Sequence, residues 1–221
     1  MKFFNTAGPV NPKKHYCISP IERINIEEIE MLISQEKYFL LHAPRQTGKT
    51  SLLNALVNHL NQGGIYSCVY VNVEPAQAAR ENVAAAMQAI LSILGSQIKR
   101  TLGDTFFDET WESVLKKSGA FAALSEMLSL WSGHSKKPIV LLIDEIDSLV
   151  GDTLISVLRQ LREGYNDRPD HFPSSVLLCG VRDIRDYRIH SEREKSIITG
   201  GSAFNVKAKS LRLGDFNFEE I

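Results

Sequence analysis

Residues 38–51, YFLLHAPRQTGKTS, constrain the fold of this chain more than any other stretch. Tyr38-Phe39-Leu40-Leu41-His42 reads as a short buried strand. The turn residues Ala43-Pro44-Arg45-Gln46-Thr47 follow it, and an amphipathic segment from about 48 to 61 ends at Gly63-Gly64, which supply left-handed geometry. A strand, a tight loop and a helix opening with Gly48-Lys49-Thr50-Ser51 form a cradle for an anion. A side chain at Gly48 would obstruct backbone amides curling around a phosphate. The helix starts at the loop, so its free N–H groups and the positive end of its dipole face the same anion. Lys49 then reaches the β- and γ-phosphates of a nucleotide, and Thr50 offers its hydroxyl to Mg²⁺. Ala43 stands where the pattern has its first glycine. Its methyl group is tolerable because that position lies furthest from the phosphates.

The remainder supplies the alternation that such a unit needs. Residues 1–20 hold Pro9, Pro12 and Pro20 and read as an extended arm. Asn25, with Glu28 three residues on, reads as the capping box of a helix running to about Ser34. A second strand covers 68–73, and helical stretches cover about 78–100, 111–117 and 121–131. A five-residue apolar strand covers 139–143, a helix covers 153–162, a fourth strand 176–179 and a fifth 206–213. Strands alternating with helices imply right-handed crossovers and a parallel sheet between helix layers.

The strand 139–143 ends in Asp144-Glu145. In an open α/β sheet, ligands bind at the carboxyl ends of the strands, so the pair is delivered beside the phosphate loop. Asp144 would hold Mg²⁺, through water in keeping with that ion's hydration. Glu145 would polarise an attacking water. The alternative is that Asp-Glu only ends a strand and caps the next helix. Asp147 reads as a cap for the following helix rather than a catalytic group. The fourth strand ends in Cys179-Gly180-Val181-Arg182-Asp183. Gly180 allows close backbone approach, and Arg182 can register a γ-phosphate by charge-assisted hydrogen bonds. The alternative is a surface arginine paired with Asp183. Residues 182–195 carry arginine, lysine and carboxylates in near balance and read as a solvated mixed-charge segment. Arg159, Arg162 and Arg168 are conceivable arginine fingers, with surface pairing the simpler reading for each.

Composition excludes several classes. A formal charge of −1 does not suit a chain that binds nucleic acid mainly by electrostatics. Three scattered cysteines and six scattered histidines have no metal-ligand spacing. The amino-terminal stretch does not read as a signal peptide, and no apolar run approaches the ~18 residues that span a bilayer. A reducing, cytoplasmic setting is the expectation.

Taken together, YFLLHAPRQTGKTS, IVLLIDEID at 139–147, CGVRD at 179–183 and His15-Tyr16-Cys17-Ile18-Ser19-Pro20 resemble bacterial AAA-like P-loop ATPases of the AAA+/STAND group, nucleotide-driven switches. The resemblance implies a P-loop NTPase three-layer sandwich with a central, mostly parallel five-stranded sheet, of the type with an added strand between the two Walker strands and a catalytic glutamate. It implies ATP or ADP with Mg²⁺ as ligands. Ala43 through Ser51 form the Walker A loop, Thr50 and Asp144 hold the metal, and Glu145, Lys49 and Arg182 act in hydrolysis. It also implies an adenine site lined by the stretch before the first helix, with Ile18, Pro20 and Arg23 as candidates. The implied organisation is an arm over 1–23, an ATPase core over 24–216 and the start of a lid over 217–221. A domain without its lid would turn over slowly. The implied partner is an effector protein or domain, with an oligomer possible and no membrane or direct nucleic-acid role. The rival readings are a nucleic-acid-linked AAA+ ATPase and a protein-interaction module that binds ATP with negligible turnover.

Overall fold

Alternate residues of each apolar strand go to opposite faces of one sheet, and this alternation sorts the core into two layers. The computed structural model describes residues 2–6, 8, 10–11, 13–183, 188–191 and 196–214. Strands β1 (Tyr38–His42), β2 (Ser67–Asn72), β3 (Ile139–Asp144), β4 (Ser175–Gly180) and β7 (Lys207–Arg212) form a five-stranded sheet in the order β2-β3-β4-β1-β7. Every pairing in it is parallel. Phe39, Leu41, Cys68, Val140, Leu142, Leu177 and Cys179 face α1 (Ile26–Ser34) and α2 (Lys49–Gly63). Tyr38, Leu40, Val69, Val71, Leu141 and Leu178 face the other way. There they pack under α3 (Val83–Leu102), α4 (Phe106–Ser118), α5 (Ala123–His134) and α6 (Gly151–Glu163). Burial on both faces is what a parallel sheet requires, and it explains the unbroken apolar runs.

The five strands expected from sequence are all present, so the fold is the three-layer α/β sandwich of P-loop NTPases. Asn25 caps α1 by accepting from the Glu28 amide at 3.1 Å. The Glu28 carboxylate turns instead to Lys209 of β7. The single helix expected over 78–100 is broken. A 3-10 turn spans Glu74–Ala79, Arg80 takes a positive φ of 48°, and α3 starts afresh at Val83 with Asn82 accepting from the Ala85 amide. The mixed-charge segment beyond β4 holds the first strand of a hairpin: β5 (Arg188–Ser191) pairs antiparallel with β6 (Ser196–Thr199), which follows the segment. Ile189 in it is buried, and its cross-strand partner Ile198 packs against the core. A short helix α7 (Gly200–Ala203) leads into β7.

Residues 217–221, read from sequence as the start of a lid helix, lie outside the described residues. Among the described residues, no helix is long and apolar enough to cross a membrane.

Candidate nucleotide site

The parallel order places β1, β3 and β4 side by side with their carboxyl ends on one rim. The loop that leaves β1 on that rim is shaped by two left-handed residues, Gln46 at φ 63° and Gly48 at φ 87°. Gly48 is the N-cap of α2, and no side chain caps the helix, so its first amides are left for an anion. The positive φ is what calls for glycine there, and the guanidinium of Arg23 also lies close. A Cβ on Gly48 would lie 2.9 Å from Nη1 of Arg23. Pro44, Arg45 and Gln46 are exposed, and Thr47 Oγ1 braces the loop by donating to the Pro44 carbonyl at 2.8 Å. Ala43 is fully buried beneath the loop. Ser51 faces the arm and accepts from the Val10 amide at 3.2 Å.

Lys49 is buried, with its ammonium donating to the Ala43 and Pro44 carbonyls at 2.9 Å each. Among the described residues it has no ion-pair partner. Its direct hydrogen-bond partners are thus the two loop carbonyls. Thr50 Oγ1 donates to Asp144 Oδ2 at 2.9 Å, joining the loop to the end of β3. Asp144 is 0% exposed. It accepts a second bond on Oδ2 from the Tyr70 hydroxyl at 3.1 Å, and on Oδ1 it accepts from the Glu145 amide at 3.0 Å. A hydroxyl and a carboxylate in contact beside an anion cradle are hard oxygen donors that suit Mg²⁺. That ion takes one or two protein ligands and completes its shell with phosphates and water. Among the described residues no cluster of three or more His, Cys, Asp or Glu side chains forms a cage for a metal, consistent with this sparse donor set.

Glu145 follows with a left-handed backbone, φ 56°, and its side chain is half-buried. Burial first, then the charges of Asp144 and Asp147, push its carboxyl above the usual range, while Lys49 opposes them. Asp147 does not cap the next helix. It lies in a 3-10 turn, Ile146–Ser148, and the N-cap of α6 is Val150 with no side-chain cap. Instead the Asp147 carboxylate packs on the end of β4. Its Oδ1 would lie 2.9 Å from a Cβ at Gly180, and that oxygen is buried without a hydrogen bond. Gly180 thus admits a carboxylate to the strand end. Arg182 is exposed on the bend beyond β4. Asp183 forms a buried ion pair with Lys207 at 2.7 Å, tying that bend to the start of β7.

The arm reaches the rim through Arg23. Its Nη1 donates to Thr47 O at 2.5 Å and its Nη2 to Gly214 O at 2.8 Å, so one guanidinium touches both the loop and the exit of β7. Ile18 and Pro20 are half-buried, and Pro20 opens a 3-10 turn, Pro20–Arg23. A cavity of about 410 Å³ lies between the arm and the outer side of α2, lined by Pro20, Cys17 and Lys2 with Ala55, Asn58 and His59. Arg168, one of the conceivable fingers, stacks over the Tyr165 ring with 3.4 Å to its centroid and bonds to Glu36 O at the start of β1, the opposite end of that strand. Arg162 donates to Ser202 O at 3.1 Å.

Sequence reasoning missed Tyr70, Asp183–Lys207 and the Asp147–Gly180 contact. Tyr70 was legible only as a strand residue. Its meeting with Asp144 follows from the register of β2 on β3, which no local pattern encodes.

A parallel sheet with β3 and β4 inserted between β2 and β1, and a phosphate cradle leaving β1, defines a P-loop NTPase. The chain belongs to the AAA domain family, whose model matches residues 31–187. A search of curated proteins gave no match. Among solved structures, the Walker-type ATPase of Pyrococcus abyssi is similar at 14% identity, over 98% of this chain and 58% of that one, with a TM-score of 0.56. Cdc6p from Pyrobaculum aerophilum is similar at 16% identity, over 95% of this chain and 49% of that one, with a TM-score of 0.53. Drosophila ORC bound to poly(dA/dT) DNA and Cdc6 is similar at 9% identity, over 89% of this chain and 29% of that one, with a TM-score of 0.51. At these identities the likeness is one of fold. The chain spans about half the length of the first two.

Proposed function

We propose that this domain binds ATP with Mg²⁺ and hydrolyses it as the core of a STAND-type switch, with the core over 24–216 and the arm over 1–23. The observation that carries the reading is the hydrogen bond from Thr50 to the buried Asp144 beside an uncapped helix N-terminus. It couples the phosphate cradle to an acidic strand end, and a chance pattern match gives no reason for that coupling. Amides of 44–51 and the Lys49 ammonium take the phosphates. Lys49 exchanges its two loop carbonyls for phosphate oxygens, which are stronger, charged acceptors. Thr50 and Asp144 would hold the metal, whose part is to neutralise charge on the β- and γ-phosphates. Glu145 orients the attacking water and accepts its proton as the water oxygen bonds to the γ-phosphorus and the bond to the β–γ bridging oxygen breaks, giving phosphate and ADP as leaving group. Arg182 swings from its exposed bend to read the γ-phosphate. Ile18 and Pro20 line the base together with Arg23. The effector is a protein or a further domain. A nucleic-acid-linked role has no observation of its own, since the likeness to Cdc6 and ORC concerns the fold.

Titration calorimetry with ATP, with and without Mg²⁺, tests the assignment. Asp144→Asn should abolish most of the gain that Mg²⁺ gives to binding. Glu145→Gln should leave binding intact and suppress phosphate release. Equal loss of binding in both variants would overturn the division of roles.

A further inference from the structure

We infer that Tyr70 is a positioning residue for the metal site: its hydroxyl holds the Asp144 carboxylate in the orientation that meets Thr50, and so sets how readily the site takes Mg²⁺. The inference rests on the nucleotide-binding reading above. Register makes the contact. Asn72 lies opposite Asp144 and Tyr70 lies opposite Leu142, so Tyr70 and Asp144 share the α2-facing side of the sheet as diagonal neighbours. Such neighbours on adjacent strands are about 7–8 Å apart, a gap that only a long side chain spans. The Tyr70 ring packs against the apolar layer under α2, and its hydroxyl reaches forward to Oδ2 at 3.1 Å.

Oδ2 is also the atom that accepts from Thr50 at 2.9 Å. Thr50 is the side chain whose oxygen has a second task at a metal. Without Tyr70, Thr50 would be the only hydroxyl donor on Oδ2. Oδ1 would still be held by the Glu145 amide at 3.0 Å. On the other flank stands Cys179, one residue beyond the Leu178 that pairs with Ile143. A thiol is only a weak donor and does not replace a phenol.

Tyr70→Phe keeps the ring and removes only the donor. The test is binding of a non-hydrolysable ATP analogue by calorimetry, in EDTA and across a Mg²⁺ titration, for the wild type and Tyr70→Phe. The expected result is EDTA affinity unchanged within about 2-fold and a Mg²⁺ midpoint raised about 10-fold, the scale of one hydrogen bond to a charged group. In an Asp144→Asn background the same substitution should add nothing, which a purely structural role would not predict. Identical Mg²⁺ midpoints would overturn the inference and leave the nucleotide-binding reading standing. So would a wild type that binds the analogue with no Mg²⁺ dependence. Loss of the fold in Tyr70→Phe would also overturn it, because the hydroxyl is assigned no part in packing. A wild type that binds no nucleotide in either condition would remove both.

Discussion

The rim has two halves, and they are built differently. On the α2 side, Lys49, Thr50, Tyr70 and Asp144 are locked by hydrogen bonds between 2.9 and 3.1 Å, with Lys49 and Asp144 buried. On the β4 side, Arg182 is exposed, Glu145 is half-buried on a left-handed backbone, and a buried oxygen of Asp147 has no hydrogen bond. The first half is preorganised; the second has groups whose partners are still to be supplied. In an ATPase that difference separates binding from chemistry. On the proposed reading, affinity would come from the locked half, and turnover would need the other half to close on the γ-phosphate.

The largest expected effect breaks the comparison on its open side. Glu145→Gln should lower phosphate release by about 10²–10⁴-fold, the usual worth of a general base, while analogue binding stays within about 2-fold. A comparable loss of affinity would show that Glu145 belongs to the binding half. Next, Gly180→Ala should reduce stability by about 1 kcal/mol, the lower end of overpacking, because the new Cβ meets Asp147 Oδ1 at 2.9 Å and Ile146 Cγ2 at 3.4 Å. Denaturant unfolding reads this directly, and an unchanged midpoint would mean that Asp147 moves aside freely. Arg182→Ala should reduce the preference for ATP over ADP by about 3–10-fold, the scale of a charge-assisted bond, without changing ADP affinity. An unaltered ratio would assign Arg182 to the surface. The smallest effect is in pH. The Glu145 carboxyl is held above the usual carboxylate range in the folded protein, chiefly by burial, so its basic form is lost at a higher pH than for an ordinary carboxylate. The acid limb of hydrolysis should lie above the ordinary carboxylate range, and it should be absent from analogue binding.

The locked half was the legible half. Tyr70 apart, its residues are consecutive in the loop or end an unmistakable apolar strand, and a strand–loop–helix context fixes where they go. The five strands were read to within a residue or two, most plainly β1, β3 and β4, whose burial on both faces leaves uninterrupted apolar runs. The rest depends on partners far apart in sequence. Tyr70 meets Asp144 through strand register, and Asp183 finds Lys207 across the sheet. The β5–β6 hairpin was hidden because the residues that pack inward from it, Ile189 and Ile198, are two isoleucines in a stretch rich in charge. Asp147 was misread because an acidic residue before a helix has the local signature of a cap. Here its side chain turns towards the neighbouring strand.

Lys49→Ala tests the central claim most directly. Its ammonium lies under the loop with only carbonyl partners, so it is poised for phosphate and contributes no ion pair within the described protein. Calorimetric titration with Mg–ATP should show affinity reduced by at least about 10-fold, or roughly 1.4 kcal/mol. Unchanged affinity would contradict the assignment of this loop as the nucleotide site.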